Sequence, residues 1–209
     1  MTHRTGGLFR SLEVPAVYDA LQKILGGPSA RQRFVDVHVR PFSGAKVLDA
    51  GCGTGVLLDC LPPDVDYTGF DSSRAYIDRA ISQHPTRGRF VCARVGEPFG
   101  DEDNFDLVIA LSLLHHLDDE TAEALLRDAA RRLRPGGAFV SLDAVLHPGQ
   151  GLVSRAMALS DRGGSVRSPE GYRNLISRHF EEIEDCVITD MLRVPYSHYI
   201  ARAGRPRSG

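Results

Sequence analysis

The segment Lys46-Val47-Leu48-Asp49-Ala50 runs without a spacer into Gly51-Cys52-Gly53-Thr54-Gly55. Glycines packed this densely are costly inside a helix or strand, but they let a chain turn sharply and bring backbone amides close to a ligand. The apolar run before them reads as a buried strand and residues 56–61 after them as a helix, so the chain announces a strand, glycine loop, helix unit.

The same alternation continues downstream. Residues 66–70 read as a second strand ending at Asp71, residues 72–83 as a helix, residues 89–93 as a third strand and residues 105–111 as a fourth. Residues 120–133 place Ala122, Leu125, Leu126, Ala129 and Leu133 on one helical face, Arg134-Pro135-Gly136-Gly137 breaks that helix, and residues 138–145 form a fifth strand. Such spacing predicts an α/β fold: a Rossmann-like, doubly wound, mostly parallel seven-stranded sheet with helices on both faces. The last two strands, residues 183–194 and 196–201, form a C-terminal antiparallel hairpin across Pro195. Helices at residues 152–159 and 169–180 precede them, the latter with Ser168 as its cap and Pro169 in its first turn. Residues 12–25 and 30–39 read as two N-terminal helices separated by Gly26-Gly27-Pro28, and residues 202–209 as a frayed tail. One domain is expected: a helical cap over 1–44, a core over 45–145, and a substrate-side region over 146–203.

Composition narrows the function classes. With 42% hydrophobic and 25% charged residues in 209, the chain can bury a real core and is not a disordered polymer. Its apolar runs are too short to cross a bilayer and residues 1–10 lack the apolar segment of a secretory leader, so no membrane association and a cytoplasmic location are expected. Cys52, Cys60, Cys92 and Cys186 show no CxxC spacing, which fits reduced thiols and disfavours a structural metal. A net charge of −2 gives no global pull towards nucleic acid, although residues 1–44 carry six cations against three acids and residues 45–145 ten against seventeen. In a dinucleotide fingerprint the sixth position from Gly51 would be glycine, and here it is Val56, which demotes a nicotinamide dehydrogenase.

The whole string VLDAGCGTG, residues 47–55, resembles the first motif of class I S-adenosylmethionine-dependent methyltransferases. Tyr67-Thr68-Gly69-Phe70-Asp71-Ser72, Phe105-Asp106-Leu107-Val108-Ile109-Ala110 and Leu133-Arg134-Pro135-Gly136-Gly137 resemble the family's second strand, fourth strand and the turn before the fifth, in order and at family spacing. The resemblance implies S-adenosyl-L-methionine as cofactor and S-adenosyl-L-homocysteine as product. Asp49 is then the candidate for the amino group of the methionine part, Gly51, Cys52 and Gly53 for the loop beside sugar and amino acid, and Asp71 for the ribose hydroxyls, followed by Ser72. Leu111 at the end of the fourth strand completes the set. Many similar enzymes carry an acid after the third strand for the adenine amino group. Here Cys92-Ala93-Arg94-Val95 offers none, which leaves backbone at Ala93 or stacking by Arg94, or an Arg94 that stands in solvent.

Methyl transfer from a sulfonium is an in-line displacement that needs alignment first and a base only when the acceptor must lose a proton. His115 and His116 follow the fourth strand, where related small-molecule methyltransferases carry an active-site histidine, and neighbours on one turn are not expected to face one pocket together. Asp143 on the fifth strand resembles the acid that partners such a histidine in some relatives. Tyr18, Arg193, Tyr196 and His198 are candidates for the substrate side, and Arg162 with Arg167 for a lid over an anionic substrate or for a solvated loop. The clustered acids of catechol-type relatives are missing after the fourth strand, so no metal is expected, and the Asn/Asp-Pro-Pro-Tyr signature of amino methyltransferases is absent. The leading reading is a methyltransferase for a hydroxyl or amine of a small molecule, anionic or sugar-like. The alternatives are an RNA or protein methyltransferase and a non-catalytic cofactor-binding protein.

Overall fold

The computed structural model describes residues 27–97, 100, 104–159 and 164–207. Seven strands form one sheet in the order β3-β2-β1-β4-β5-β7-β6. The parallel part comprises β1 (Lys46–Ala50), β2 (Asp66–Asp71), β3 (Arg89–Cys92), β4 (Phe105–Leu111) and β5 (Leu133–Ala144). Then β7 (His198–Pro206) pairs antiparallel with both β5 and β6 (Phe180–Ile188). Helices α1 (Gly27–Phe34), α2 (Arg74–Gln83), α3 (Asp119–Arg132), α4 (Leu152–Leu159) and α5 (Pro169–Ser177) surround it. None of the helices in the described residues is long and apolar enough to cross a membrane.

Alternation along the strands sends successive residues to opposite faces and so builds two cores. Val108, Phe139, Tyr199 and Ala201 meet Leu126 of α3 and Tyr172 and Ile176 of α5 on one face. Val47, Ile109, Val140 and Ile200 meet Phe34 of α1, Leu58 and Met191 on the other. Caps fix where the helices begin: Ser73, Asp118 and Ser168 each accept a hydrogen bond from a backbone N–H of the first turn.

Four sequence expectations are corrected. Residues 56–61 form no α-helix: they fold as successive three-residue turns with one 3₁₀ turn at Leu58–Cys60. Six residues before the Pro62-Pro63 pair are too few for a stable helix, and the turns put Leu57, Leu58 and Leu61 into the second core. Residues 35–39 leave the α-helical path as a π-turn closed by Arg40 at φ +51°. The last strand does not stop at Ala201: β7 runs to Pro206, so residues 202–206 are paired with β6 rather than frayed. Conversely β6 begins at Phe180 and ends at Ile188, well before the expected boundary. The predicted helix over residues 12–25 lies outside the described residues.

The glycine loop is clamped to the end of β2. Gly51 and Cys52 both donate their N–H to the Phe70 carbonyl, at 2.8 and 3.0 Å, and Gly53 N–H donates to Asp71 Oδ2 at 3.1 Å. Gly51 adopts φ +69°, which turns the chain away from the strand. Close approach is possible because residue 69 has no side chain: a Cβ there would lie 2.9 Å from Cys52 Cβ, Cys52 Sγ and Tyr67 Oη. Gly69→Ala is therefore expected to cost about 1–3 kcal/mol and to loosen the loop. Phe139→Ala removes a fully buried ring stacked 5.7 Å from Phe180 and should cost about 3–5 kcal/mol. Thermal unfolding checks both, at roughly 2–4 °C per kcal/mol for a chain of this size.

Candidate active site

The order of the parallel strands reverses between β1 and β4, and ligand crevices in such sheets open beyond the carboxyl ends at this switch point. A cleft of 470 Å³ lies there, lined by Gly51, Phe70, Asp71, Ser72, Ala93, Arg94, Val95, Leu113, Leu117 and Thr121. Five sequence-predicted residues, Gly51, Asp71, Ser72, Ala93 and Arg94, thus share one wall. A larger groove of 700 Å³ sits at the amino-terminal end of β5, the wrong end for this crevice, and its Arg202 and Arg205 are already engaged by the carbonyls of His38 and Val39 and by Glu181 and Glu182.

Asp71 is half-buried at the rim and held by two backbone donors, Gly53 N–H and Ser73 N–H, the latter at 2.7 Å to Oδ1. The carboxylate is oriented before any ligand arrives. Arg94 is exposed, and its backbone N–H donates to Glu97 Oε2 at 2.9 Å. Asp49, near the end of β1, and Cys52, in the loop itself, are buried off the cleft wall, 1% and 5% exposed. Asp49 Oδ2 accepts a 2.7 Å hydrogen bond from the Tyr67 hydroxyl, while its buried Oδ1 has no partner. Burial pushes its carboxyl up to about 7, and the neighbouring Asp71 charge adds to that, against the Tyr67 bond. Burial likewise holds the Cys52 thiol protonated.

Leu111 is partly buried and, like Leu107 and Ile109, packs against the second core; it is not among the residues lining the 470 Å³ cleft. Leu113 takes the place over the loop, because Ser112 at φ +56° turns the chain after β4 and carries the next side chain across Gly51. Only the left-handed turn separates the two leucines, and sequence alone gives no glycine there to signal it. Leu117 and Thr121, also missed, reach the cleft from the same segment and the first turn of α3.

The histidine pair sits in a 3₁₀ turn, Leu114–His116, between those two leucines. His115 is buried: its N–H and its Nδ1 meet Asp143 Oδ1 at 3.2 and 2.9 Å, and Asp143 is fully buried on β5. His116 is exposed, with its ring 4.1 Å from that of His115, so the two rings lie side by side rather than on opposite sides. Neither ring lines the 470 Å³ cleft itself. His198 is buried and in register with Ala144, next to Asp143, and Tyr196 packs edge-on against it at 5.0 Å. Burial, then the charge of His115, pulls the His198 imidazole down to about 4. Sequence-predicted His115, His116, Asp143, Tyr196 and His198 are therefore one cluster, whereas Arg193 is exposed in the connection between β6 and β7. Tyr18 and Arg162 lie outside the described residues.

Arg167 has a different place from a lid. Its guanidinium donates to the Leu114 carbonyl at 2.8 Å, the Leu117 carbonyl at 2.9 Å and Asp119 Oδ1 at 2.7 Å, and it lies over the Tyr172 ring. Those bonds pin the histidine turn from behind and leave the side chain committed to the protein. Among the described residues no group of three or more His, Cys, Asp or Glu is arranged to hold a metal ion.

Residues 47–137 match the model of a methyltransferase domain. The ubiquinone biosynthesis O-methyltransferase of Idiomarina loihiensis is 31% identical over 113 residues, covering 51% of this chain and 45% of the relative. The O-methyltransferase cnsE of Penicillium expansum is 37% identical over 129 residues, covering 56% and 44%. The chain thus spans about half the length of the curated relatives it matches. Among solved structures, a putative methyltransferase in complex with the Haloferax volcanii Trm112 activator aligns over 94% of this chain and 97% of its own at a TM-score of 0.70 and 16% identity. Human N-acetylserotonin methyltransferase in complex with S-adenosylmethionine aligns over 90% and 55% at 0.67 and 23%. Residues 47–137 thus resemble a methyltransferase domain, and the glycine loop, the cleft at the switch point and the fold shared with these structures support a class I S-adenosylmethionine-dependent methyltransferase.

Proposed function

We propose that this protein transfers a methyl group from S-adenosylmethionine to a hydroxyl or amine of a small molecule. The observation that carries the reading is the juxtaposition, at one edge of the sheet, of a ligand-sized cleft beside Asp71 and a buried His115–Asp143 pair on the adjoining turn. The cofactor supplies an electrophilic methyl on a positively charged sulfur. The residues fit it: Asp71 has fixed carboxylate oxygens suited to a diol, and Asp49 Oδ1 is a buried acceptor with nothing to accept from.

The chain's own residues then have separable tasks. Asp71 and the loop hold the nucleoside end, and Asp49 lies under the loop for the ammonium end. Asp143 accepts a hydrogen bond from His115 Nδ1–H, which leaves the lone pair on Nε2 to take a proton from the acceptor as its oxygen or nitrogen bonds to the methyl carbon. The carbon–sulfur bond breaks with its electron pair going to sulfur, so charge balances. Arg167 serves by holding the turn that carries His115.

The two O-methyltransferase relatives favour a hydroxyl acceptor. A reaction on oxygen is thus the first to test. Phenolic, sugar and carboxylate-bearing acceptors should be screened with radiolabelled methyl donor.

His115→Ala should lower kcat by about 10²–10⁴ and leave cofactor affinity unchanged, whereas Asp71→Ala should weaken cofactor binding by calorimetry. Equal cofactor affinity in wild type and Asp71→Ala removes Asp71 from the site. Turnover that survives His115→Ala removes the base. Saturating S-adenosylhomocysteine, at about 100 times its dissociation constant, should stabilise the protein by roughly 2.7 kcal/mol, and NADH should not.

A further inference from the structure

We infer that Asp49 carries a proton while the site is empty and gives it up when the ammonium group of the cofactor arrives, with Tyr67 as the positioning residue that sets when this happens. The inference rests on the cofactor reading above and goes beyond it, because it makes cofactor capture a proton-coupled event.

The argument begins with geometry. Asp49 is 1% exposed on β1, which lies between β2 and β4 in the sheet. Its neighbours across the ladder are Gly69 of β2 and Ile109 of β4, neither of which offers a charge. The polar groups that face it are Tyr67 and Asp71 from β2 and Cys52 from the loop, and Asp59 bears on Tyr67 in turn. Its one hydrogen bond comes from the Tyr67 hydroxyl at 2.7 Å, and Oδ1 has no partner. No cation pairs with it among the described residues. A buried carboxylate anion with one neutral donor and another acid nearby is expensive, and protonation is the cheaper answer. The site therefore waits neutral.

A ligand ammonium reverses the balance, since an opposite charge at contact favours the ionised acid. The proton then leaves to solvent as the salt bridge forms. Tyr67 is itself fully buried with its hydroxyl held protonated, so it can donate but cannot accept the proton Asp49 loses. Its hydrogen bond favours the carboxylate form and keeps Asp49 near neutrality, at about 7, instead of further up.

Titration calorimetry of S-adenosylhomocysteine into the wild-type protein, in two buffers of different ionisation enthalpy, counts the protons directly. Close to one proton should be released per ligand at about pH 6 and about half at about pH 7, where the ligand's own amino group is already charged. The neutral analogue 5′-methylthioadenosine, which lacks the ammonium, should release none. Asp49→Asn should abolish the release, and Tyr67→Phe should increase it at about pH 7, because loss of the hydrogen bond raises the Asp49 pKa.

A second readout needs no ligand. The folded Asp49 pKa lies above its unfolded value, so its contribution to stability is fully present below about pH 4 and is lost as pH rises through about 7. The melting temperature of the empty wild type relative to Asp49→Asn should therefore fall over that window. Identical heats of S-adenosylhomocysteine binding in the two buffers would overturn the inference and leave the methyltransferase reading standing. Absence of any binding by a folded protein would sink both.

Discussion

The Phe70 carbonyl accepts two successive N–H groups of the glycine loop, and the position of everything else at the carboxyl edge follows from that one clamp. It ends β1 and turns the chain over the tip of β2, with Gly53 reaching Asp71. It also seals Asp49 beneath the loop. A helix dipole has no part in this: the residues after Gly55 make short turns, so no long helix points its amino terminus at the loop. What orients a ligand here is fixed backbone and side-chain geometry.

Three buried or half-buried carboxylates then meet three different fates. Asp71 has two backbone donors that fix both of its carboxyl oxygens. Asp143 has the N–H and ring of His115. Asp49 has a single phenol. The donors present thus grade the acids from satisfied to wanting, and the least satisfied one lies beneath the loop under the place assigned to the ligand's positive end. Arg167 extends the same economy to the histidine turn, tying two of its carbonyls to Asp119 and to the Tyr172 ring.

Much of this was legible in the chain. The boundaries of β1 and β4 coincide with their apolar runs, and the alternation of strand and helix announced a parallel sheet. Asp71, Ser72, Ala93 and Arg94 came to one wall because the ends of β2 and β3 are adjacent in the ladder, where Asp71 pairs with Cys92. Departures arose where a local turn outweighed periodicity. Residues 56–61 carry a helical apolar pattern but meet two prolines too soon. Ser112 takes a left-handed conformation that its residue type does not advertise, and this brings Leu113 to the cleft wall. Arg167 reads in sequence as a lid or solvated cation because nothing there says that four acceptors converge on it. Which of His115 and His116 meets Asp143 likewise needed the third dimension: Asp143 lies 28 residues away, and the β4–β5 pairing brings it to the turn.

That pairing also decides which histidine takes a proton in the proposed reaction. His198 is buried near His115, and a positive charge on either makes a second one on the other costly. Asp143 is in contact with His115 through both backbone and ring, whereas burial and the charge of His115 both work against a proton on His198. Tyr196 packs edge-on against the His198 ring and adds no charge to bias it otherwise. His198 is thereby held neutral, and in the proposed reaction the ring with a carboxylate behind it is the one positioned to act as a base for methyl transfer to oxygen.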